Sequence, residues 1–64
     1  MSKKVYIVTA QNEDGIIALE VFKDEDDALA FDKDGIIDQV RTEYGESAAS
    51  SDKLLVGFHI RKLK

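Results

Sequence analysis

Between Lys3 and Ala10 the chain reads Lys-Lys-Val-Tyr-Ile-Val-Thr-Ala, rich in β-branched and aromatic residues, with apolar side chains on both alternating positions. Successive side chains of a strand point to opposite faces, so a strand without a polar side has to be covered on both. Such a segment is a central strand, and the rest of the chain must supply its neighbours and its covering layer.

The neighbours are legible on either side. Gln11-Asn12-Glu13-Asp14-Gly15 carries turn chemistry, and Ile16 to Lys23 resumes a β-type run, which predicts a hairpin with a loop of about four residues. Near the other end Leu54, Val56, Phe58 and Ile60 alternate with Leu55, Gly57, His59, Arg61 and Leu63, the pattern of a third strand. The strands are therefore expected at about 3–10, 16–23 and 53–63.

The covering layer comes from the middle of the chain. Asp24 followed by Glu25, Asp26 and Asp27 suits a helix N-terminus with its partial positive charge, and a helix over about 25–44 is expected. Leu29, Ile36, Ile37, Val40 and Tyr44 then make one apolar stripe, with Phe31 nearly opposite. Asp34-Gly35 is a turn-favouring pair inside this pattern, so two helical segments kinked near Gly35 are the alternative to one continuous helix. Gly45 is suited to end the helix, and the small residues of about 46–52 form a flexible connector with little to bury.

The order β-β-α-β has a simple solution. It is a single small two-layer α+β domain, an antiparallel three-stranded sheet ordered 2-1-3 with one helix packed on one face. The expected covered face holds Val5, Ile7, Ile17, Leu19, Val21, Leu54, Val56, Phe58 and Ile60, against Leu29, Ile36, Val40 and Tyr44 of the helix. The open face then carries Tyr6, Val8, Ile16, Ala18, Phe22, Leu55 and Leu63 beside His59, too apolar for a sheet face left to water. A slip of one residue in a strand's phase exchanges the two faces.

Length makes this surplus more telling. A chain of 64 residues builds one small core of marginal stability, and self-association is one way to add to it. There is no cysteine for a disulfide or a thiolate site, and a single histidine cannot build a multi-histidine metal centre. No apolar run is long enough to cross a membrane, and the Met-Ser-Lys-Lys start leads into a strand, so no signal peptide and a cytoplasmic chain are expected.

Catalytic and ligand motifs are sparse. His59 is the single histidine, but no serine or acid stands at a local spacing that marks a triad. Asn12-Glu13-Asp14-Gly15 and Asp32-Lys33-Asp34-Gly35 imitate part of a calcium loop. Counting each Gly as the sixth loop position, the first ligand falls on Ala10 or Ala30 and the closing glutamate on Val21 or Arg41. The four glycines form no phosphate-binding pattern. No catalytic residue, cofactor or metal site is expected.

Charge is segregated along the chain. Residues 12–46 hold 12 acids against Lys23, Lys33 and Arg41, a balance of −9, while the flanks carry +2 and +3. Asp24, Glu25, Asp26, Asp27, Asp32, Asp34 and Asp38 make a candidate acidic surface, and Lys3 and Lys4 approach Arg61, Lys62 and Lys64 in a basic corner if the first and third strands pair. The expected function is that of a small non-enzymatic protein-binding module, an adaptor, regulator or inhibitor acting as a homodimer joined through the open sheet face or an exposed strand edge, with Tyr6, Val8, Ala18, Phe22, Leu55, His59 and Leu63 as its candidate interaction face. One alternative is an acidic mimic that blocks a nucleic-acid-binding protein, and another is a structural or accessory protein with no ligand of its own. Direct binding of nucleic acid is not expected at a net charge of −4.

Overall fold

A computed structural model describes residues 3–63; Met1, Ser2 and Lys64, the last a member of the expected basic corner, lie outside them. The elements are β1 (Lys3–Asn12), β2 (Gly15–Phe22), α1 (Glu25–Ala30), a π-helical turn (Phe31–Gly35), α2 (Ile36–Tyr44), α3 (Glu46–Ala49) and β3 (Leu55–Leu63). The sheet is antiparallel and ordered β2-β1-β3, with the doubly apolar strand at its centre as the sequence requires. The molecule is elongated, 43 × 20 × 16 Å. Part of that length is a two-stranded ribbon. β2 ends at Phe22 opposite Tyr6, whereas β1 runs back to Lys3 against Arg61–Leu63 of β3.

The hairpin is tighter than its sequence suggests. Asn12 pairs with Gly15, which leaves Glu13 and Asp14 as a two-residue loop. Neither takes a positive φ, and the residue that does is Gly15 at +111°, where a side chain would be strained. The Asp14 amide donates to Asn12 Oδ1 at 2.8 Å and fixes the turn. Farther along, the register slips between Ala10 and Gln11, since Ala10 faces Ala18 and Gln11 faces Ile16, so Ile17 is the extra residue of a β-bulge.

Register corrects the expected faces of the first two strands. Val8, Ala10 and Ala18 are buried under the helices, and Tyr6 and Phe22 pack against this core. Val5, Ile7, Leu19 and Val21, expected beneath the helix, lie on the opposite face. The cause is size. Ala10 and Ala18 share one buried cluster with Ala28 and Ala49 of the helical layer, and small side chains on both layers allow their backbones to come close. β3 keeps the expected phase, with Phe58 in the core layer and Leu55, His59 and Leu63 turned away.

Helical structure runs from Glu25 to Tyr44, with wider hydrogen bonding over Phe31–Gly35. A π turn takes extra residues per turn and so rotates the helix before it relative to the helix after it. Ala28, Ile36 and Val40 therefore share the buried face, while Leu29 and Tyr44, expected in the stripe, are about half exposed at 49% and 54%. Phe31, expected opposite the stripe, packs on the core with its ring 5.2 Å from that of Phe22. Asp24 stands at the N-cap without a side-chain cap bond, and Glu25, Asp26 and Asp27 fill the first turn. The expected flexible connector contains α3, whose Ala49 is buried, and Arg41 of α2 bonds Asp38 within its own helix and Glu46 across the junction at Gly45. These carboxylates, Glu46 foremost, hold the Arg41 guanidinium above its usual range. The group is exposed, so neither pair adds much stability, and the one to Glu46 ties the start of α3 to α2.

Gly35 makes room for the Phe31 ring. Its backbone is ordinary helix, but a methyl group there would lie 2.3 Å from Cδ1 of Phe31 and 3.0 Å from Cγ. Gly35→Ala gains about 1 kcal/mol of helix propensity and meets an overpacking penalty of about 1–3 kcal/mol. The expected result is a lower urea midpoint, reversed in a Phe31→Ala background, where the same change should raise it. A rise in the wild-type background would show that the Phe31 ring is not held in place.

Candidate interaction face

The face of the sheet turned away from the helices is built by strict alternation. Its paired positions are Lys3, Val5, Ile7, Thr9 and Gln11 on β1, Ile16, Leu19 and Val21 on β2, and Leu55, Gly57, His59, Arg61 and Leu63 on β3. Seven of these thirteen are large aliphatic residues and none is Asp or Glu, although the chain holds 13 acids. Ile16 and Leu55 are 59% exposed and Val21 54%, and Leu19 and Leu63 are also exposed. An apolar sheet face open to solvent is the normal mark of an interface.

Its centre is already organised. Thr9, on the middle strand, is buried despite lying on this side. Gly57 sits opposite it on the edge strand, and a methyl group there would come within 2.8 Å of Thr9 Oγ1 and 2.9 Å of His59 Nε2. The imidazole thus folds along β3 over the glycine, an aromatic cover for an edge position without a side chain. Among the described residues no hydrogen bond joins His59 to a carboxylate or hydroxyl, and no group of three or more His, Asp and Glu could hold a metal ion.

Of the expected interaction residues, the structure gathers Leu55, His59 and Leu63 on this face and places Tyr6, Val8, Ala18 and Phe22 on the other, in or against the core. Val5, Ile7, Leu19 and Val21 take their place. The signal that could have found them is the set of alanines at 10, 18, 28 and 49, which mark where two layers come close. Along the helical layer Asp24, Glu25, Asp26, Asp27, Asp34 and Asp38 are exposed and Asp32 is partly buried, so the acidic surface lies on the side opposite the apolar face.

The two ends of the sheet differ in charge. Lys4 and Lys62 are direct cross-strand partners, with Lys3, Lys23 and Arg61 close by in the fold. A cleft of about 450 Å³ opens among Lys3, Lys4, Val5, Lys23 and Leu63, and among the described residues no carboxylate lines it. The hairpin end carries Glu13 and Asp14, both exposed, with Glu13 3.6 Å from Lys53. Among the described residues no helix is long and apolar enough to cross a membrane. Compared with known proteins, the chain gives no match to a family model, to a curated protein or to a solved structure.

Proposed function

We propose that this chain is a non-enzymatic protein-binding module that works as a homodimer joined through the uncovered face of its sheet, in the cytoplasm, where a fold without disulfides is at home. One observation carries the reading: the uncovered face is as aliphatic as a core layer and free of acids in a chain of net charge −4. Its counterpart inside the molecule is thin, since Val8, Ile36 and Val40 are the largest fully buried side chains. A domain with so small a core gains from burying a second apolar layer. Pairing through this face leaves the acidic helical layers outward, available to a protein partner.

Sedimentation equilibrium tests the reading. The wild-type chain should sediment at twice its 7.1 kDa mass, and Leu19→Lys on the uncovered face should return it to a single chain. Leu29→Lys is the matched control, because Leu29 is equally exposed at 49% but lies on α1. A monomeric wild type, or equal effects of the two substitutions, would count against the proposal.

A further inference from the structure

We infer that the two copies stack with their strands antiparallel, so that the basic ribbon end of each sheet lies over the acidic hairpin end of the other. This rests on the uncovered face being the homodimer interface and adds its orientation. β1 from Lys3 to Asn12 spans about 30 Å at the rise of a strand. That is several Debye lengths in ordinary buffer, so the two ends of one copy do not neutralise each other. At the ribbon end, two ammonium groups stand opposite each other at Lys4 and Lys62, an arrangement that costs stability. Among the described residues neither they nor Lys3, Lys23 and Arg61 pair with a carboxylate.

The midpoint between Lys3 and Glu13 falls at Val8, so a two-fold axis beside Ile7 and Thr9 superposes opposite ends. Stacked sheets lie about 10 Å apart at a small crossing angle, within reach of lysine and arginine side chains. Lys3, on the interface side of the ribbon, then approaches Asp14 and Glu13 of the second copy, the latter already 3.6 Å from Lys53 of its own chain, while Arg61 falls over the start of β3. Stacking with parallel strands would put cations on cations, and no acid on the face would relieve them.

A charge-swap pair tests the orientation. One variant carries Lys3→Glu, the other Glu13→Lys and Asp14→Lys. By two-fold symmetry each variant meets like charge at both ends of its own dimer, whereas a mixed dimer meets opposite charge at both ends. At low salt each variant alone should dissociate at least about tenfold more readily than wild type, and an equimolar mixture should recover dimers to within a few-fold of wild type. Recovery on mixing also shows that both variants fold. A mixture no better than its components, with Val21→Lys still dissociating the wild type, would overturn the antiparallel orientation and leave the interface standing. A wild type strengthened by salt would overturn it too. A dimer indifferent to Val21→Lys would remove the interface and the orientation with it.

Discussion

Val21→Lys is expected to raise the dissociation constant of the dimer by at least about one to two orders of magnitude. Val21 stands beside Ile7 on the uncovered face and is 54% exposed in one copy. Full burial of such a side chain is worth about 1.5–3 kcal/mol, and only about half of Val21 is left to bury, so with two-fold symmetry making the loss occur twice about 1.5–3 kcal/mol disappears from the association energy. Lysine adds a desolvation cost at a position where the face offers no acid as a partner. The consequence reaches stability, because a dimer that unfolds to single chains melts at a temperature that rises with protein concentration. Thermal scans across a hundredfold range should show that rise for the wild type and none for Val21→Lys. A concentration-independent midpoint in the wild type would mean that folding does not draw on self-association.

Ile36→Ala is expected to leave most of the protein unfolded. Ile36 begins α2, is fully buried, and sits with Val8 and Val40 at the centre of the core. Truncation at such a site costs about 2–5 kcal/mol, of the same order as the about 3–5 kcal/mol that a single core of this size supplies. The circular-dichroism helix signal should be largely lost at micromolar concentration and should return partly when the dimer is concentrated. Leu29→Ala is the contrast. In the sequence the two residues belong to one stripe, yet Leu29 is about half exposed, and its truncation should change the unfolding free energy read from urea titration by less than about 0.5 kcal/mol. If Leu29→Ala proved the more damaging, the rotation introduced by the π turn would be wrong.

That contrast shows where the sequence stops being legible. The strand order and the antiparallel three-stranded sheet follow from the doubly apolar Lys3–Ala10 segment and the turn chemistry around Gly15, because both are local features. Phase was harder. In a strand apolar on both sides, Val5 and Ile7 look as core-like as Tyr6 and Val8, and Glu20 gives misleading guidance on β2, since it pairs with Val8 on the helix side. The bulge at Ile17 and the π turn at Phe31–Gly35 each insert a residue that periodicity cannot count. Both adjust local chain direction to packing formed by residues distant in sequence. The excess of apolar groups was readable all the same, because counting side chains does not require knowing which face each one takes. Leu55, His59 and Leu63 keep their expected side because β3 carries a polar or small residue at Gly57, His59 and Arg61 that fixes its alternation.

The most direct measurement is an isotope-filtered nuclear Overhauser experiment on an equimolar mixture of labelled and unlabelled protein, which reports only contacts between copies. Intermolecular contacts should connect methyl groups of Val5, Ile7, Leu19, Val21 and Leu55, with those of Ile36 and Val40 silent. Contacts arising from the helical layer, or none at concentrations where the wild type sediments as a dimer, would contradict an interface on the uncovered face of the sheet.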